Sequence, residues 1–170
     1  ELADLTAYPP ERFAASRVEG IVGSPTCRPF SRAGNQLGYA DPRAVLSRKP
    51  LQWVKALRPR FALFEQVPSV LGLWEANAIE LEAIGYSTWT GIVRAERYGV
   101  PQTRRRAVLL ARLDGAVTLP MSTTCTPSAM ADALGWSGAE LVSNYGTGGD
   151  PKARGRRTMD RPAFTMTGKC

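Results

Sequence analysis

Gly23-Ser24-Pro25-Thr26-Cys27-Arg28-Pro29-Phe30-Ser31-Arg32-Ala33-Gly34 follows directly on the apolar run Val18-Glu19-Gly20-Ile21-Val22. The run reads as a buried strand over residues 18–23 that ends in a turn. Cys27 therefore stands at the carboxyl edge of a sheet, where open α/β folds collect their ligands. Pro25 and Pro29 restrict the backbone on either side of the cysteine, and Gly23 permits close approach of a neighbouring element. A sulfur held in this way suits nucleophilic catalysis. The other common use of a free cysteine is as a small buried hydrophobe.

Outward from this stretch the pattern alternates. Val45, Leu46, Trp53, Val54 and Leu57 fall at helical intervals over residues 43–57, which stop before Pro59. Arg60-Phe61-Ala62-Leu63-Phe64-Glu65 is a second short strand that ends in a carboxylate. Residues 69–84 read as a helix with Gly85 at its C-terminal cap, 86–95 as a strand and 106–113 as another. Strand, helix, strand, helix, strand implies an α/β fold with parallel pairing, the last two strands being antiparallel. Beyond Leu113 the sequence is rich in Gly, Ser, Thr and Pro, with a weak helix near 127–135 and a basic run over 150–161, and it reads as an irregular region.

The totals narrow the classes. A chain of 170 residues, 44% hydrophobic and 22% charged, fits one globular domain, or one domain with a short appendage. A formal charge of +7 favours a polyanionic partner, nucleic acid first. Three cysteines without CxxC spacing fit neither a disulfide scaffold nor a metal site and suit a reducing, cytoplasmic compartment. There is no apolar run of the roughly 20 residues that cross a bilayer, and no secretion signal in Glu1-Leu2-Ala3-Asp4. The chain contains no histidine, which excludes Cys-His and Ser-His dyads. A nucleophilic Cys27 must then be activated by arginines, helix dipoles or a carboxylate.

Three stretches place chemically useful groups just beyond strands. The first is the Cys27 loop. In the second, Glu65-Gln66-Val67-Pro68, a partly desolvated carboxylate can hold or share a proton, or it can simply favour the dipole of the following helix. In the third, Gly99-Val100-Pro101-Gln102-Thr103-Arg104-Arg105-Arg106, strand alternation puts Arg104 and Arg106 on one face and Arg105 on the other. Paired guanidiniums can hold a phosphate or orient a carboxylate; a solvated basic edge that discourages strand pairing is the plainer alternative.

Taken together, these stretches resemble the cytosine-5 DNA methyltransferases. The family's Gly-x-Pro-Pro-Cys-Gln-Pro-Phe-Ser-x-x-Gly is matched by residues 23–34, and its Asp-x-Arg by Asp41-Pro42-Arg43. Its Glu-Asn-Val is matched by Glu65-Gln66-Val67, its Gly-Tyr by Gly85-Tyr86, and its Tyr-Gly-x-Pro-Gln-x-Arg-x-Arg by residues 98–106. Arg161-Pro162-Ala163-Phe164-Thr165 is similar to a stretch found downstream in relatives.

The resemblance implies a partial Rossmann-like sheet of the class I S-adenosylmethionine-dependent methyltransferases over residues 1–112. It implies the start of an irregular, DNA-contacting target-recognition region over 113–170. By the same resemblance Cys27 adds to C6 of a flipped-out cytosine, Glu65 holds N3 and the exocyclic amine, and Arg104 and Arg106 position the base and the loop. Pro25, Ser31, Gln102 and Arg28 then contact the substrate, double-stranded DNA, while Asp4 and the Pro25 backbone contact the cofactor, S-adenosyl-L-methionine. No metal and no membrane enter this scheme.

The chain departs from the family pattern in several places. Thr26 stands for proline, Arg28 for glutamine, and Gln66 for an asparagine expected to orient its neighbours. A glycine-rich donor loop and the late motifs are missing from this sequence, so the expectation is a central fragment or one part of a split enzyme completed by a second chain. A catalytically silent DNA-binding relative is the alternative, and an enzyme that adds a cysteine to the C6 of a mononucleotide pyrimidine is a third reading.

Overall fold

The computed structural model describes residues 8–14, 17–30, 40–119, 121–143, 152 and 154–165. These fall into two compact units, one formed by residues 1–93 with 106–119, the other by 94–105 with 120–170.

The first unit is built on a four-stranded sheet of order β1-β2-β4-β3, with β1 at Gly20–Gly23, β2 at Phe61–Gln66, β3 at Ser87–Arg94 and β4 at Arg105–Arg112. β1 and β2 are parallel, with Gly23 opposite Phe64. β4 runs antiparallel to β2, with Gln66 opposite Ala107 and Glu65 opposite Val108. Two helices, α1 (Lys49–Leu57) and α2 (Leu71–Glu82), supply the core residues Leu51, Val54, Leu73, Trp74 and Leu81, which cluster with Phe64, Ala107 and Leu109 of the strands.

Proline decides where these helices begin. The helical run expected over 43–57 opens instead as a 3-10 turn, Pro42–Arg48, because Pro50 at the start of α1 lacks an N–H and its ring clashes with the carbonyl four residues earlier. Pro68 likewise opens a 3-10 turn, Pro68–Val70, before α2. Asp41 caps the first turn through the backbone N–H of Arg43, and the Arg43 guanidinium returns to both of its carboxylate oxygens. This side-chain pairing holds the Asp41 carboxyl down to about 2. Gly85, at φ 91°, closes α2 as a left-handed cap: Tyr86 N–H donates to Leu81 O and Gly85 N–H to Glu82 O.

The second unit holds a 3-10 turn (Ala95–Tyr98), a short helix α3 (Met130–Leu134) and an antiparallel hairpin of β5 (Glu140–Val142) and β6 (Arg156–Thr158). Met130 and Met159 are its buried apolar side chains among the described residues. Among the described residues, the region beyond Leu113, which reads as loosely patterned in sequence, carries a short helix and an antiparallel strand pair between irregular stretches. Among the described residues no helix is long and apolar enough to cross a membrane, and no group of three or more His, Cys, Asp or Glu could hold a metal ion.

Candidate active site

Alternation along β2 separates two neighbouring roles. Ala62, Phe64 and Gln66 face the helices and are buried, whereas Leu63 and Glu65 face the other side of the sheet and are half-buried. Because Gln66 lies opposite Ala107, the residue before Ala107, Arg106, shares the face of Glu65. The Arg106 Nε lies 2.5 Å from Glu65 Oε1. On the other side the parallel register carries Ser24 past Gly23, where its hydroxyl donates to Glu65 Oε2 at 2.7 Å. Both carboxylate oxygens of Glu65 are therefore oriented, one by a guanidinium and one by the first residue of the Cys27 loop.

Gln66 points the opposite way and ties down that same loop. Its side-chain Nε2 donates to Pro25 O at 2.6 Å, and its Oε1 accepts from Val67 N–H at 2.6 Å. The longer side chain that replaces asparagine here does orient its neighbours. Ser69 adds a second anchor, donating to Phe30 O at 2.9 Å. Between these anchors Phe30 N–H closes a turn on Cys27 O, Pro29 is fully buried, and Cys27 is exposed. Gly23 is needed for the approach to α1, since a Cβ there would lie 2.8 Å from two ring carbons of Pro50.

The expected site residues thus divide by position. Cys27, Glu65, Arg106 and Pro25 belong to one unit, and Glu65 and Arg106 are paired directly beside the loop that carries Cys27. Arg28 is exposed in that loop, its N–H directed at Thr26 Oγ1. Arg104 and Gln102 belong to the second unit. The Arg104 carbonyl accepts from Ala95 N–H, and Gln102 bridges to Ala163 beside the bonds from Thr103 N–H to Ala163 O and from Ala163 N–H to Pro101 O. Burial alternates as the sequence implies, with Arg104 and Arg106 half-buried and Arg105 exposed. Asp4 and Ser31 lie outside the described residues.

Sequence reading missed Ser24 and Ser69. Neither carries a signal of its own: Ser24 reaches Glu65 only through the β1–β2 register, and Ser69 reads simply as a helix-start residue.

Set in a sheet with helices against its buried face, this arrangement is a class I methyltransferase fold. The methyltransferase EhMeth of Entamoeba histolytica superposes with a TM-score of 0.60 at 17% identity, over 78% of this chain and 43% of that one. The family model described as C-5 cytosine-specific DNA methylase matches residues 1–132, and the chain belongs to that family. Type II methyltransferase M1.HphI of Haemophilus parahaemolyticus is 32% identical over 70% of this chain and 34% of its own length. Type II methyltransferase M.FnuDI of Fusobacterium nucleatum is 34% identical over 52% of this chain and 27% of its own length. The chain thus spans about a third or less of the curated relatives it matches.

Proposed function

We propose that the chain carries the reacting side chains of a DNA (cytosine-5-)-methyltransferase acting on a flipped-out cytosine in double-stranded DNA. The observation that supports this best is the doubly held Glu65 carboxylate, gripped by Arg106 and by Ser24 at the root of the Cys27 loop. A cytosine cannot be reached inside the duplex, and turning it out requires a few kcal/mol of unstacking.

In this reading the Cys27 sulfur, as thiolate, forms a bond to C6 of the ring, and the displaced electron pair moves toward C5 and the N3 side. Glu65 holds N3 and the exocyclic amine and supplies the proton that neutralises the developing charge. Arg106 fixes the Glu65 carboxylate, while Arg104, Gln102, Arg28, Ser31 and the Pro25 backbone position the base and its strand. Once C5 has gained its methyl group, loss of the C5 proton, departure of the sulfur from C6 and return of the N3 proton to Glu65 restore the neutral aromatic ring. Residues 113–170 begin the target-recognition region.

S-adenosyl-L-methionine, when bound, supplies the methyl group. Of the two residues read as its contacts, Asp4 lies outside the described residues and the Pro25 carbonyl already accepts from Gln66. A complementing chain that carries a glycine-rich donor loop belongs to the same reading.

The test is methyl incorporation into duplex DNA by the polypeptide that carries this chain, measured with labelled donor. Cys27→Ser is expected to abolish incorporation while DNA retention survives. Undiminished turnover in that variant refutes the assignment.

A further inference from the structure

The second unit contains a cleft of about 400 Å³ lined by Arg94, Glu96, Arg97, Ser122, Thr124 and Cys125. None of these residues belongs to the site around Glu65. The cleft is framed by a short backbone clasp: Thr123 N–H and Thr124 N–H both donate to Arg97 O, at 3.0 and 3.3 Å. The Ser122 hydroxyl also donates to Arg97 O, at 2.9 Å, and the Thr124 hydroxyl to Glu96 O, at 3.2 Å. Both hydroxyl hydrogens are thus engaged by the frame, which leaves the oxygens as acceptors.

Glu96 is the unusual member. Its side chain is only 9% exposed, and its carboxylate Oε2 is buried without a hydrogen-bond partner. Buried polar atoms are nearly always paired, so an orphaned carboxylate oxygen on a residue that lines a cleft calls for an N–H donor that arrives from outside. Two guanidiniums line the same cleft, although among the described residues neither pairs with Glu96 within ion-pair distance. Charge points to the class of donor. The sequence of this unit holds ten Lys and Arg against five Asp and Glu, so it carries +5 of the chain's +7. A strongly cationic unit with an acceptor-only group in its cleft suits a polyanion whose interior edge presents an amine.

We propose that this cleft reads a cytosine in DNA, with Glu96 accepting a hydrogen bond from the exocyclic N4 amine and Arg94 and Arg97 neutralising flanking phosphates. The proposal rests on the DNA methyltransferase reading above and adds a specificity-determining residue to it. Cytosine is selected by elimination. In the major groove guanine offers only N7 and O6 acceptors, and thymine offers the O4 acceptor and a methyl group. Adenine sets its N6 donor beside an N7 acceptor that repels a carboxylate. Cytosine alone offers a donor without a competing acceptor. The arginines contribute affinity that is independent of sequence.

The test is selection of a randomised duplex pool by this chain, followed by titration of the selected duplex and of single-position substitutions. The parent is expected to prefer cytosine at one position by about tenfold. Glu96→Gln is expected to flatten that position alone. Arg97→Ala is expected to weaken all duplexes evenly and to lower the slope of log affinity against log salt by about one. A folded Glu96→Gln variant with the parental profile overturns the proposal while leaving the methyltransferase reading intact. Retention of no duplex by the parent overturns that reading and this one together. Should Glu96→Gln fail to fold, alkylation of the exposed Cys125, followed by peptide mapping of the parent, decides the matter. The selected duplex is expected to slow it and a duplex without that cytosine to leave it fast; equal rates overturn the proposal.

Discussion

Replacing Gln66 by alanine removes one side chain that makes two hydrogen bonds, to the Pro25 carbonyl and from the Val67 N–H, each at 2.6 Å. A buried group stripped of its partner costs about 1–3 kcal/mol, and one that water can reach costs toward the lower end. Gln66 itself is 3% exposed, but both bonds are only part-buried, so two lower-end penalties apply. The sum is about 2–3 kcal/mol of stability. Urea denaturation followed by tryptophan fluorescence, to which the fully buried Trp74 contributes, reads this directly. The same substitution unties the root of the Cys27 loop, so alkylation of the exposed Cys27 is expected to change rate in the folded variant.

Gln66→Glu sharpens the test. It has the same size and can still accept from Val67 N–H, but as a carboxylate it faces the Pro25 oxygen with no hydrogen to donate. Burial raises the folded-state pKa of such a group above its unfolded value. The variant's deficit is therefore full at neutral pH and shrinks as pH falls through the raised pKa, where a protonated oxygen can donate to Pro25. A loss below about 0.5 kcal/mol in Gln66→Ala, with Cys27 reactivity unchanged, refutes the role of Gln66 as the loop's anchor.

Gly23→Ala drives a methyl group into the Pro50 ring at 2.8 Å and is expected to lower stability by about 1–3 kcal/mol in the same denaturation assay. Asp41, held down to about 2 by its Arg43 pairing, contributes stability that is present above its ordinary value of 3.8 and lost as pH falls toward 2. Thermal unfolding of Asp41→Ala is therefore expected to lose less than the parent does between pH 5 and pH 2. Glu65→Gln is expected to slow methyl incorporation by about 10²–10⁴-fold while DNA retention is kept. A change of only twofold would make Glu65 a structural residue.

Much of this architecture is legible in the chain because local rules and the tertiary structure agree. The parallel β1–β2 pair follows from two short apolar runs separated by a helix, and Gly85 marks the end of α2 through its left-handed cap. Helix starts are less legible, since the patterns over 43–57 and 69–84 fit continuous helices, whereas Pro42–Arg48 ahead of Pro50 and Pro68–Val70 ahead of α2 are 3-10 turns. The candidate site is legible where residue type is diagnostic: Cys27, Glu65 and Arg106 stand out by motif. Ser24 and Ser69 do not, because a serine gains its role only from what the register sets beside it. Glu96 is hidden for a further reason. Its burial without a partner is a property of the folded second unit, and no spacing in the sequence encodes it.

The most direct measurement of the chemistry uses a duplex whose target cytosine carries fluorine at C5, incubated with S-adenosyl-L-methionine and the polypeptide that carries this chain. Fluorine replaces the proton whose loss frees the sulfur, so a bond from Cys27 to C6 persists through denaturation. Mass mapping is expected to find the nucleotide on the Cys27 peptide and none on Cys27→Ser. Duplex bound without any covalent product, or product formed equally on the Cys27→Ser variant, contradicts the proposed role of that sulfur.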